Sequence, residues 1–197
     1  MHQVLPVLKN DAFNVQKSKA MQSSGRIVLQ IRREEGRRMR FYTEPECEDW
    51  LIQRGRKKPG QVGEEIYHVE YPTKPYQLLS LCEWPATNIM FREPVLVWVT
   101  EWGIWPSSEN WHLYYRLRQT YADQRLLHEA PGHLFLGHES EDFATFLQIA
   151  MLNGWGGYVL TQADDVNMFF SHDEWVDFFG ATGALLESLR ERFPAKT

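Results

Sequence analysis

Two cysteines in 197 residues leave nothing from which to build a disulfide scaffold. Cys47 and Cys82 stand far apart with no Cys-x-x-Cys, so each reads as a small buried apolar residue in a reducing compartment. No apolar run approaches the roughly 20 residues that a membrane-spanning helix requires. Residues 1–25 lack the unbroken apolar stretch of an export signal, since Lys9, Asn10, Asp11, Lys17 and Lys19 interrupt them. The expected location is therefore the cytoplasm, with no membrane partner. Repeats, low-complexity tracts and Pro/Gly/Ser-rich linkers are missing too, which argues for one domain over 26–197 behind an irregular segment 1–25.

Several chemistries lose their usual signatures. There is no G-x-x-x-x-G-K-[ST] to cradle phosphates, no G-x-G-x-x-G for a dinucleotide, and no G-x-S-x-G to present a nucleophilic serine. Gly154-Trp155-Gly156-Gly157 reads as a helix stop running into a strand.

Apolar residues make up 43% of the chain, with 8 Trp, 8 Tyr and 11 Phe. A domain of this length buries about 70% of its unfolded surface, so no metal or other cofactor is needed to hold it together. The net charge of −5 conceals an asymmetry: residues 1–60 carry 13 Lys and Arg against 7 Asp and Glu, and the remainder 8 against 19. Such a charge dipole attracts a charged partner at either end, or pairs the two halves with each other.

Alternation of Ile27, Leu29 and Ile31 with polar residues, continued by Met39 and Phe41, predicts a β-hairpin whose other face bears Arg26, Gln30, Arg32, Arg38 and Arg40. Thr43 and Glu46 form a capping-box pair ahead of a helix with Cys47, Trp50 and Leu51 inward, and Gly55 is placed to end it. Tyr67, Val69 and Tyr71 suggest a strand, 76–84 fits either a helix or a strand, and 95–102 reads as a strand covered on both faces. Ser107 or Ser108 caps a helix with a stripe of Leu113, Tyr114, Leu117 and Tyr121. A short strand at 134–136 follows, then a helix over 140–153. Strands 157–161 and 166–170 should form a hairpin. Ser171 and Glu174 then suggest a capping box for a helix presenting Trp175, Phe178 and Phe179, ahead of a last helix with Leu186, Leu189 and Phe193. The sum is an α+β fold: a mixed, largely antiparallel sheet of about six strands packed by four to five helices.

Two functional readings follow. In the first, the chain is a non-catalytic macromolecule-binding or accessory protein, with the general character of immunity proteins and antitoxins but no motif of such a family. Its partner is another protein. The binding candidates are Arg32, Arg38 and Arg40 on the hairpin face, and Trp105 in the loop after the aromatic strand. Arginines on a β-ribbon also suit phosphates, but the pI of about 5.8 and the absence of a nucleic-acid module count against nucleic acid. In the second reading, His128, Glu129, His133 and His138 serve a metal-dependent hydrolase or nuclease, with Glu129 as general base and the histidines as ligands. Here the two His of a H-E-x-x-H helix would have to be four apart; they are five apart, with Pro131-Gly132 between them, so only a loop could gather them. Asp164, Asp165, Asp173, Glu174 and Asp177 offer carboxylates for a divalent cation, although tight turns and helix starts also favour acids at such positions.

Overall fold

The described part of this computed structural model comprises residues 39–58, 65–89, 94–103, 108–162 and 166–194, without the side chains of 108–111. Seven strands in this part form one sheet: β1 (Arg40–Tyr42), β2 (Ile66–Glu70), β3 (Val95–Glu101), β4 (Gly132–Phe135), β5 (Gly156–Thr161), β6 (Asn167–Phe170) and β7 (Trp175–Phe179). Their spatial order is β1-β4-β3-β5-β6-β7-β2. Five α-helices accompany them: α1 (Glu44–Ile52), α2 (Pro75–Asn88), α3 (Ser108–Thr120), α4 (Ser140–Leu152) and α5 (Gly183–Arg192). None is long and apolar enough to cross a membrane.

The α+β layering is as the sequence implies, with one strand more than the expected six. The mixed sheet is corrected, because every pairing in it is antiparallel. The extra strand is β7. Trp175, Phe178 and Phe179 satisfy a helical spacing, but Val176 and Phe178 also alternate, and both are fully buried. Ser171 and Glu174 do not cap a helix. They close a hairpin in which Ser171 N–H donates to Trp175 O (2.8 Å), Glu174 N–H to Ser171 O (3.2 Å), and Glu174 takes φ 66°. The ambiguous segment 76–84 is helical, inside α2. Of the expected N-terminal hairpin, residues 27–31 lie outside the described residues, while β1 pairs with β4 in the register Phe41↔His133.

Parity assigns the two faces of the sheet. One face carries Phe41, Val97, Val99, Phe135, Val159, Met168, Phe170, Val176 and Phe178 into a core completed by α2, α4, Tyr114 of α3 and Leu189 of α5. The other carries Leu96, Trp98, Leu134 and Leu160 against Cys47, Trp50 and Leu51 of α1. The Thr43–Glu46 capping box starts α1 as the sequence indicates, and Gly55 follows it at φ 65°, the left-handed turn that glycine adopts without strain. Both cysteines are buried and unpaired, and burial pushes each thiol up to about 12.

Counting along β3 places Trp98 and Trp102 on the same face, and this too is corrected. The β3–β5 register shifts between Val99 and Glu101, a bulge that reverses the alternation beyond it. Trp98 therefore joins the α1 side, and Trp102 packs on Tyr114 and Trp155 on the opposite side. The stripe on α3 is corrected as well: Leu113 is 70% exposed, and Arg118 is fully buried instead.

Candidate functional site

Of the four predicted binding residues, Arg32, Arg38 and Trp105 lie outside the described residues. Arg40 is one-third exposed at the β1 edge and sets its Nη1 3.6 Å from the buried Glu139 carboxylate. Its charge is engaged by the segment that follows β4, because Glu139 also accepts from the Leu136 N–H (2.7 Å). The predicted metal ligands are not brought together. His128 and His138 are exposed on two separate single-turn 3₁₀ segments. Glu129 caps its own turn by accepting from Leu126 N–H (2.7 Å). Among the described residues, no three His, Cys, Asp or Glu side chains converge as a metal site. Asp164 and Asp165 lie outside the described residues. Asp173 and Glu174 belong to the β6–β7 turn, and Asp177 lies mid-strand on β7.

His133 has a different role. It is fully buried, stacks on Phe146 (4.3 Å between ring centres, 28° between planes), and is hydrogen-bonded through Nε2 to the Tyr114 hydroxyl. Burial, reinforced by the Arg118 charge, pushes its pKa down to about 3, while burial pushes the Tyr114 phenol up. A neutral imidazole accepting from a neutral phenol is the arrangement these shifts favour. The backbones of Val97 and Pro131 lie beside the ring, and Nδ1 completes no hydrogen bond.

Next to this pair, Arg118 is wholly enclosed, with its guanidinium 4.5 Å above the Phe41 ring and 3.4 Å from Asp123. Asp123 is committed mainly to Arg125, which reaches it from Nε (3.2 and 3.1 Å) and Nη2 (2.6 Å) while also donating to the Phe41 carbonyl (2.8 Å). A shallow cavity of about 660 Å³ lies outside this cluster, lined by Arg40, Phe41, Asp123 and Arg125 among others. Tyr114, His133 and Arg118 do not line it; all three are sealed in the core. Their chemistry is that of a buried polar network that orients a core, not of a group that meets a substrate.

The surface that sequence reasoning missed is on the α1 side of the sheet. On that face α1 covers β1, β4 and β3 and shares its cluster with Leu160 and Tyr158 of β5, and Lys58 Nζ sits 3.5 Å from the centre of the Trp98 ring. Beyond β5, no residue of β6, β7 or β2 belongs to this cluster. A continuous aromatic row runs from β5 across these strands: Tyr158 to Phe169 (4.9 Å between ring centres), Phe169 to Trp175 (5.3 Å) and Trp175 to His68 (5.3 Å). The first three rings are half-buried and His68 is exposed. The row follows from register, since Tyr158↔Phe169, Phe169↔Asp177 and Asp177↔His68 are direct cross-strand neighbours. Histidine–carboxylate pairs accompany it. Asp177 Oδ1 holds His68 Nδ1 at 2.7 Å, and His172 is bonded to Glu101 and lies 3.4 Å from Asp173.

A signal for this face was present. Tyr158, Phe169 and Trp175 occupy the strand positions opposite Val159, Met168 and Val176, where a solvated strand carries polar residues. Reading β7 as a helix hid it, because Trp175 then fell among the inward residues. No family model, no curated protein and no solved structure matches this chain.

Proposed function

We propose that this chain is a non-catalytic binding protein that recognises another protein through the aromatic row along β5, β6, β7 and β2. The observation that carries this reading is the row Tyr158–Phe169–Trp175–His68. These are large, contiguous rings, three of them half-buried and His68 exposed, on the sheet face opposite the main helical core. Aromatic side chains on rigid strands offer much contact area with little conformational entropy to lose, and a polar rim around them is the usual make-up of a protein interface. The charges beside the row, together with the excess of basic residues in 1–60, favour a charged partner whose association weakens with salt. The sealed position of His133 and Tyr114 gives no support to a hydrolytic reading.

The test is retention of protein from a lysate of the source cells on the immobilised chain, at low and high salt and with nuclease. The reading expects a stoichiometric protein partner whose retention falls with salt. It also expects the Phe169→Ser/Trp175→Ser variant to lose that partner by at least about tenfold, the scale of one interface hot spot, whereas Leu152→Ser on α4, 65% exposed, keeps it. Equal retention by both variants, or retention abolished by nuclease, overturns it.

A further inference from the structure

The sign of the charge beside the aromatic row is set along the chain. From Leu126 to Leu189 there are ten Asp and Glu and no Lys or Arg. β4, β5, β6 and β7 all lie in this stretch, and β2, which joins them, has no Lys or Arg either.

Three of the carboxylates stand at the row. Asp177 is the direct cross-strand neighbour of both Phe169 and His68. Glu101 is in register with Gly156, and a Cβ on that glycine would lie 2.8 Å from Glu101 Oε2. Residues 156 and 158 share a face of β5, so the Glu101 carboxylate is at the Tyr158 end of the row. Asp173 belongs to the turn that leads into Trp175. The side chains of Glu101 and Asp173 are 49% and 67% exposed. All three carboxylates pair with histidines and, among the described residues, with no Lys or Arg.

The fold shows once what a ring on this face takes. Trp98, the cross-strand neighbour of Tyr158, carries Lys58 Nζ 3.5 Å from its ring centre. Tyr158, Phe169 and Trp175 continue from it across the sheet, and among the described residues no Lys or Arg lies over them. The negative π-face of an aromatic ring attracts a cation, and a carboxylate beside the ring adds to the attraction.

We infer that the partner docks through a basic segment, whose Lys or Arg side chains lie over Tyr158, Phe169 and Trp175 and reach Glu101, Asp173 and Asp177. This rests on the reading of the row as the recognition surface, and gives that surface a sign. Charge complementarity selects the occupant, since like charges brought together at an interface are rejected. An acidic protein and a phosphate backbone are both disfavoured on these grounds. Arginine fits better than lysine, because its guanidinium stacks flat on a ring while its fork bonds a carboxylate.

Fluorescence anisotropy tests the inference, with the full chain titrated into two labelled decapeptides, one of alternating Arg and Gly and one of alternating Glu and Gly. The cationic peptide should bind at least about tenfold more tightly than the acidic one, and less tightly as salt rises. Asp173→Asn/Asp177→Asn, which keeps every ring, and Phe169→Ser/Trp175→Ser should each weaken its binding at least about fivefold with unchanged far-UV circular dichroism. Glu141→Gln/Asp142→Asn removes as much charge from exposed positions at the start of α4 and should leave binding within about twofold. Glu101→Gln/Asp173→Asn serves if another variant fails to fold. No preference for the cationic peptide, an equal loss in the α4 variant, or no loss in Asp173→Asn/Asp177→Asn overturns the inference. So does a carbodiimide cross-link in the free chain from Lys9, Lys17 or Lys19 to these carboxylates, which makes the chain's own segment the occupant. A protein lost by Phe169→Ser/Trp175→Ser yet retained by Asp173→Asn/Asp177→Asn overturns the basic segment alone. Equal retention by both is the failure of the row itself, and the inference falls with it.

Discussion

His133 is a residue whose protonation the fold opposes. An unfolded histidine titrates near 6.5, whereas here burial holds the folded value at about 3. Below pH 6.5 the unfolded chain therefore takes up a proton that the native state refuses, and stability falls as pH falls, by up to about 1.4 kcal/mol per unit. The loss begins near pH 6.5 and continues towards 3. Urea unfolding at pH 7 and pH 5 should show it, and His133→Gln, which keeps a polar group for the Tyr114 hydroxyl, should shrink the difference between the two. Asp123 offers a second test at this scale. Hydrogen bonds from Arg125 and the nearby guanidinium charges outweigh burial and hold its carboxyl below the usual range. Removing its charge leaves Arg118 enclosed with no counter-ion. Asp123→Ala should therefore cost about 3 kcal/mol or more in denaturant unfolding, whereas Arg118→Met, which removes a guanidinium whose three nitrogens make no hydrogen bond, should cost far less or stabilise.

Among the elements, α1 depends on an absence of side-chain atoms beneath it. At Gly132 on β4, a Cβ would overlap Cys47 Sγ and lie 2.8 Å from Tyr42 Cβ. Glycine here is a matter of close approach between helix and sheet. Gly132→Ala should destabilise by about 1–3 kcal/mol, as overpacking does in a dense core. Adding Cys47→Ala should recover part of that, a coupling that a double-mutant cycle in urea measures directly. The same scale shows what was legible in the chain. α1 was readable to its cap, because Thr43, Glu46 and Gly55 act within a few residues. α4 was readable from Phe143, Phe146, Leu147 and Ala150, all buried. β7 was not, since Trp175, Val176, Phe178 and Phe179 fit both periods over five residues, and only pairing with β6 and β2 selects the strand. Nor was the turn of Trp102 away from Trp98, which a single bulged position decides.

Across the molecule, the candidate surface combines an aromatic row with a charge asymmetry along the chain. The second was visible in composition, and it motivates the salt dependence expected of the partner. The first required register. His68 is far in sequence from Tyr158, Phe169 and Trp175, and the four become neighbours only when β5, β6, β7 and β2 align. The sequence by itself determined the α+β class, the extents of α1 and α4, both buried cysteines and the absence of nucleotide-binding motifs, because these follow from spacing and capping within a turn or a strand. Tertiary structure alone decided that His128, Glu129, His133 and His138 diverge, that Arg118 enters the core, and that Tyr158, Phe169, Trp175 and His68 line up in one row. Each of these depends on which distant strand or helix stands opposite, and one chain's local pattern carries no information about that.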